Sequence, residues 1–428
     1  MDSQDLATPR RGFMKTAAAG AALGGLPLIR DAQGVPKSYK LALVGCGGRG
    51  NGAMENHMEA VKFINSKLNL GIEPKVVATA DFNKGNAERT GKKYGVPAEK
   101  CFGGASAYRQ AIEAGPDIML FATPTCFRPP HVEAAVKAGK HVFMEKPVAV
   151  DPPGIRRVIA AGEEAQKKGL TIVAGTQRRH SRGYNERWQA IKEGLCGRIM
   201  GGRVAWCMGK FFGEKPLNPR TPEDLVGQGR WWCWNMISGD HIVEQHVHNI
   251  DIANWYLQAH PRSARGFGGR ARRVGGNMFD YFSVDFEYPN GVHIHSMCRQ
   301  VGDCWNWVGE EFMYEKGGGK PQEPIPYSEY PRQGNDYVDE HIHLILNALK
   351  ETTKEPINEA RNVAWATAAN IMGRESAYSG AEVKWSDMYE KETHPLYNLT
   401  MRPSADDFEK GGDIEMPKDG DVRIPGKA

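Results

Sequence analysis

Apolar and polar residues follow two rhythms along this chain, and the change between them marks two regions. From Lys40 to about Pro147, short apolar runs of strand length alternate with stretches of helical period. The strand-like runs are Tyr39–Val44, Val76–Ala80, Asp117–Ala122 and His141–Met144. Between them, Asn51–Leu68, Asn83–Tyr94 and His131–Ala138 read as helices, the second ended by Gly95 and Pro97 and the third by Gly139. This alternation predicts a parallel, doubly wound α/β unit. Pro152–Lys168 continues as a helix, and Leu170–Gly175 reads as a strand that opens a second region. There the β-like runs lengthen, at Arg203–Met208, Tyr281–Glu287 and Val292–Met297, and predict a large, mostly antiparallel sheet with one polar face. Helices at Gly239–Leu257, Asp336–Lys350 and Glu359–Ser379 are expected to cover it. Lys316–Asn335 reads as a loop, and the polar, Pro- and Gly-punctuated end of the chain as an extended tail. The expected division is an N-terminal segment 1–34, a first domain 37–168, a second domain 169–394 and a tail 395–428.

The turn after the first strand carries the most chemistry. Gly45, Gly47 and Gly50 stand at G-x-G-x-x-G spacing, with Cys46, Gly48 and Arg49 between them. Such a turn brings a helix N-terminus and its free amides to a pyrophosphate. Glycine is common in this chain, 50 of 428 residues, so the triplet draws its weight from the flanking strand and helix. Asp81, ending the second strand, is placed to hold ribose hydroxyls, and no arginine follows it directly, which favours NAD over NADP. Thr123, Glu145 and Lys146 fall at later strand ends, where ligands bind in an open α/β sheet. A lysine beside a nicotinamide can orient a substrate hydroxyl and relay its proton.

A second group lies in Asp240–Asp251. His241, Glu244, His248 and Asp251 share one face if the stretch is a single helix. One reading makes His248 and Glu244 an acid–base pair on a sugar hydroxyl. A second makes His241, Glu244 and His248 metal ligands, although the spacing is not H-E-x-x-H, and no metal is assigned. A third leaves a merely structural polar helix. Gly175–His180 offers Gln177 to a nicotinamide and Arg178 and His180 to substrate, or else only a charged strand end. Trp231, Trp232 and Trp234, with Trp305 and Trp307, are a large aromatic investment; each is either a platform for a sugar face, the role taken for Trp234, or part of core packing or a subunit interface.

Bulk properties narrow the classes. Charged residues make up 25% and the net charge is +4, with lysines and arginines scattered, so nothing points to nucleic acid. Eight cysteines without C-x-x-C spacing carry no zinc signature. Arg10-Arg11-Gly12-Phe13-Met14-Lys15 before a modestly apolar Thr16–Leu28 resembles a twin-arginine export signal, too short to span a bilayer in a mature protein. The expected location is therefore periplasmic or otherwise exported.

These motifs together resemble the Gfo/Idh/MocA family, which includes glucose–fructose oxidoreductase and inositol dehydrogenase. The resemblance rests on Val44–Gly50, Ala122-Thr123-Pro124, Ala138–Pro147 and the pattern Glu244…His248…Asp251, and extends from Lys40 to about Ser379. It implies an N-terminal Rossmann domain with an α+β C-terminal domain, NAD as cofactor and a carbohydrate substrate, while an exposed antiparallel sheet face in the second domain points to a homo-oligomer. It also implies Lys146 and His248 as the catalytic pair, with Glu244 at a position where the family usually has aspartate; His241 has no family role. Two reactions fit these residues. One is hydride transfer between a sugar or glycoside hydroxyl and tightly held NAD. The other is a glycosidase that oxidises its sugar transiently, with no net redox change.

Overall fold

The computed structural model describes residues 37–209, 213–317, 331–351, 355–411 and 414–427. The twin-arginine segment and most of the Lys316–Asn335 loop lie outside these residues. Six strands, β1 (Ser38–Val44), β2 (Glu73–Asp81), β3 (Cys101–Gly103), β4 (Ile118–Phe121), β5 (His141–Met144) and β6 (Ile172–Ala174), form one sheet in the order β3-β2-β1-β4-β5-β6. Every pairing in it is parallel. The central strands are apolar on both faces, and Ile118–Phe121 is buried throughout, because helices cover the sheet on both sides. Leu41, Leu43, Leu120 and Phe143 face one layer; Ala42, Val44, Met119 and Met144 face the other. The order reverses between β1 and β4, and the crevice at their carboxyl ends is where the glycine turn lies.

Six further strands form the second sheet: β7 (Ile199–Met208), β8 (Ser263–Gly269), β9 (Tyr281–Tyr288), β10 (Val292–Gln300), β11 (Trp307–Tyr314) and β12 (Val383–Lys384), in the order β11-β7-β10-β9-β8-β12. It is mostly antiparallel, as the sequence predicts, with one parallel pair between β7 and β10. The helix Ala360–Ser379 is buried along nearly its whole length, between β8 and the helices Pro152–Lys167 and Val247–Leu257. One apolar cluster thereby runs unbroken from the first sheet through Ala368 and Ala369 to Val284, Phe286 and Ile294 of the second.

Two expectations about the division of the chain need correction. The strand at Leu170–Gly175 does not open the second domain: as β6 it pairs with β5 and closes the first sheet. The helix at Asp336–Ala348 covers the first sheet rather than the second, placing Val338, Ile342 and Ile345 against Met54, Ala60 and Ile64 of the helix Gly48–Leu68. The tail is not extended throughout, since Ala405–Lys410 is a short helix with a Ser404–Asp407 capping box. No helix among the described residues is long and apolar enough to cross a membrane.

Candidate active site

The glycine turn has the shape its spacing predicts. Gly45 adopts φ +95°, and a side chain there would strike the Ala122 backbone at 2.5 Å. A Cβ on Gly50 would lie 1.7 Å from the Gly45 carbonyl oxygen, so the helix can pack against the strand only without one. At Gly47, by contrast, nothing lies within 4 Å of an added Cβ, which leaves open space over the N-terminus of the helix Gly48–Leu68. No acid occupies that helix's first turn, so its positive end is unopposed. Asp81 braces the turn: Oδ2 accepts from the Cys46 amide at 2.7 Å, and Oδ1 accepts from the Asn83 amide at 2.9 Å. A cavity of about 200 Å³ runs past Gly45, Gly47, Asp81 and Thr123 to Val226 and Trp231 of the second domain. Cys46 is buried beneath the turn, with Sγ 3.4 Å from the Ala80 carbonyl oxygen; burial pushes its thiol pKa far up. Thr123 Oγ1 lies 3.4 Å from Nδ1 of His131, which burial holds neutral with a pKa of about 3.

At the next strand end Arg49 reaches out of the glycine turn to Glu145, Nε to Oε1 at 2.8 Å. Tyr337 lies under the Arg49 guanidinium at 5.1 Å and takes a 3.1 Å hydrogen bond from Gln177 Nε2. Beside Glu145, Lys146 donates to the Glu244 carbonyl at 2.7 Å and to its carboxylate Oε1 at 3.0 Å. Glu244 Oε2, also buried, has no hydrogen-bond partner among the described residues. Arg128, wholly buried, donates to the Pro147 carbonyl and to Thr125 Oγ1, fixing the loop that follows the lysine. Burial lowers the Arg128 pKa to about 10, and the charges of Glu145 and Glu244 oppose that fall.

The segment Asp240–Asp251 is not one helix. Asp240 takes φ +71°, and the chain forms two helices, His241–Glu244 and Val247–Leu257, with a break at Gln245–His246. The four residues expected on one face are accordingly dispersed. Glu244 meets Lys146. His248 stacks on Trp206 with ring centroids 5.5 Å apart, and its Nδ1 is buried with no hydrogen-bond partner among the described residues. Burial, then the Lys146 charge, hold the His248 pKa well below the usual imidazole range, so the ring is neutral. Asp251 is locked into a two-pronged pair with Arg179, at 2.7 and 2.8 Å. His241 packs edge-on against Phe282, and the charges it senses are those of Arg273 and His246, not Lys146. It has left the group.

Arg178 lies over Trp206 and pairs with Glu310 on β11, whose carboxylate also accepts from Asn249 at 2.7 Å and from Tyr184 at 3.0 Å. Two placements depart from expectation. His180 turns into a buried network, 2.7 Å from His343 and 3.3 Å from Glu359, instead of presenting its ring to substrate. Trp234 is fully buried among Cys126, Phe127 and Leu225, so its ring offers no face to a sugar. Sequence reasoning missed Arg128 and Glu310. Arg128 precedes two prolines without any charge pattern around it, and Glu310 sits on a strand whose alternation is masked by Gly309 and Glu311. No group of three His, Cys, Asp or Glu side chains able to hold a metal occurs among the described residues.

Comparison with known proteins fits this geometry. Residues 39–174 match the model of an oxidoreductase family with an NAD-binding Rossmann fold, GFO_IDH_MocA, and residues 185–308 match the GFO/IDH/MocA C-terminal domain, together more than half of the chain. The chain belongs to the Gfo/Idh/MocA family. Its cofactor is NAD, and the open space at Gly47, the unopposed helix end and Asp81 fit that group. Among its relatives, inositol 2-dehydrogenase of Azotobacter vinelandii is 29% identical over 224 residues, 51% of this chain and 58% of that protein. The 2,7-anhydro-N-acetylneuraminate hydratase of Escherichia coli is 28% identical over 194 residues, 45% and 47% of the two chains. The chain thus matches about half the length of these curated relatives. The fold is shared with scyllo-inositol dehydrogenase from Lactobacillus casei, solved with NAD(H) and scyllo-inositol. That likeness has a TM-score of 0.59 at 17% identity and covers 81% of this chain and 99% of that one.

Proposed function

We propose that the protein is an NAD-dependent oxidoreductase that moves a hydride between a sugar or glycoside hydroxyl and its bound cofactor. The observation that carries this reading is Lys146 Nζ, held at a β5 strand end by both the carbonyl and the carboxylate of Glu244. When bound, NAD supplies the hydride acceptor. Every other part belongs to the chain. Lys146 is fixed by two acceptors, which leaves its third N–H direction for a substrate oxygen. His248 beside it is neutral, the form of an imidazole able to take the proton that leaves that oxygen. The lone Glu244 Oε2 offers an acceptor to a neighbouring hydroxyl. Arg178, aimed by Glu310 and flanked by Trp206, supplies a cation and an aromatic face of the kind that suits a polyol.

A second reading, reversible oxidation that enables elimination without net redox change, uses the same residues. The relative from Escherichia coli bears the name of a hydratase, which favours keeping it. Exported action through the twin-arginine route, with NAD carried out already bound, is part of the proposal and rests on Arg10-Arg11 and the run that follows. One assay separates the two reactions: purified protein, a panel of inositols, aldoses and glycosides, and NAD, with reduced-nicotinamide absorbance and released sugar followed together. Accumulating reduced cofactor supports the dehydrogenase. Released sugar without it supports the second reading, and neither signal on any polyol overturns both.

A further inference from the structure

The outer wall of the nucleotide cavity is made by a segment that no sheet anchors. Val226 and Trp231 belong to the stretch 213–234, which holds only the short helices Pro222–Val226 and Gly227–Cys233. Its base is tied down from the far end of the chain. Asp419 Oδ2 accepts from the amides of Leu217 at 2.7 Å and Asn218 at 2.8 Å, and Oδ1 accepts from the Gly276 amide at 2.5 Å. The Gly420 amide in turn donates to the Gly276 carbonyl at 2.8 Å. One carboxylate therefore reinforces a junction between two loops separated by about sixty residues of chain, where the Gly213 carbonyl also accepts from the Val274 and Gly275 amides at 2.7 and 2.9 Å and the Cys233 carbonyl from the Asn277 amide at 3.0 Å. The loops lie against each other, for a Cβ on Gly275 would fall 2.2 Å from the Lys215 carbonyl oxygen. The rest of the tail lines the same wall from outside. Met401, Phe408, Ile414 and Met416 share one apolar cluster with Phe82, Val226 and Trp231, and the Phe408 ring meets Phe82 at 6.0 Å and Phe127 at 5.2 Å.

We infer that Asp419 is a positioning residue for cofactor retention: it clamps the 213–234 segment over the nucleotide cavity and slows the escape of NAD. The inference rests on the cofactor and not on which sugar is used. A carboxyl group shared by three main-chain amides is a strong restraint, because each oxygen is held by donors that must all be released together. Opening the wall requires those amides to leave Asp419 together or the tail to lift with them.

The test compares wild type, Asp419→Asn and Asp421→Asn, the last altering an exposed acid two residues further along the tail. Each is loaded with NADH, chased with excess NAD, and followed by tryptophan-sensitised nicotinamide fluorescence. D419N should release NADH about tenfold faster or more, while D421N matches wild type. Amide exchange supplies a readout that needs no variant. In cofactor-free wild type, Leu217, Asn218 and Gly276 should already be protected, since the clamp is built before NAD arrives. Unchanged release from NADH-loaded D419N, or rapid exchange at those amides, overturns the clamp and leaves the active-site reading intact. Failure of wild type to bind NADH at all would overturn both.

Discussion

Lys146 with Glu244 and Arg179 with Asp251 are both ion pairs that join the carboxyl edge of the first sheet to helices of the second domain. The acids stand seven residues apart in one stretch, and the bases follow adjacent strands, β5 and β6. The pairs are built differently. Arg179 meets Asp251 with two parallel hydrogen bonds, stacks over Trp255 and leaves neither carboxylate oxygen unused. Lys146 spends one N–H on a carbonyl and one on a single carboxylate oxygen, leaving Glu244 Oε2 bare. A saturated pair has nothing left to offer a ligand and serves the architecture. An unsaturated buried pair is costly to keep, and its spare donor and acceptor are what a substrate can use.

The comparison breaks most readily at the lysine. Lys146→Ala should lower kcat by about a thousandfold while NADH still binds, as read by fluorescence titration beside steady-state turnover. Activity near that of wild type would assign the lysine to the architecture after all. Asp251→Asn tests the other pair, leaving the half-buried Arg179 without its two-pronged counter-charge. Unfolding free energy from denaturant titration should fall by about 3 kcal/mol, with kcat in the folded protein within a few-fold of wild type. A collapse of kcat without loss of stability would erase the distinction between the pairs.

The smallest effect separates the two histidines. His241 and His248 are both buried and both depressed, by burial first. Above pH 6.5 each is neutral in the folded and unfolded chain alike and contributes no pH dependence. Below it, the unfolded chain takes up protons that the folded one refuses, and stability falls by about 1.4 kcal/mol per pH unit for each such group. His241→Phe should therefore flatten the slope of stability between pH 6.5 and 5 by about that amount, leaving turnover at pH 7.5 unchanged. Thermal melts across pH and one activity assay check both halves.

What could be read from the sequence was local. The turn at Gly45–Gly50 and the lysine at the end of β5 are set by a few neighbouring residues, so spacing alone predicts both. The break at Gln245–His246 is not local in that sense. It arises because Glu244 and His248 face Lys146 and Trp206 while His241 packs on Phe282 of the second sheet, and one straight helix cannot serve all three. Trp234 illustrates the same point, since whether a tryptophan meets a sugar or a core depends on Phe127 and Leu225, which are distant in sequence. Glu310 was invisible because its meaning lies in Arg178, more than a hundred residues earlier.

The helix Asp336–Ala348 carries a consequence for how the chain is made. Its Val338, Ile342 and Ile345 complete the layer begun by Gly48–Leu68, some three hundred residues before. A ribosome releasing this protein has every strand of the first sheet in hand long before it has the helix that closes one side of it. Until then, Met54, Ala60 and Ile64 lack their final cover, and long-range closure of this kind is slow. The nucleotide half therefore matures late, in step with the second domain and not ahead of it. A fragment ending at β6 would carry every strand of the cofactor sheet with one flank still open to solvent.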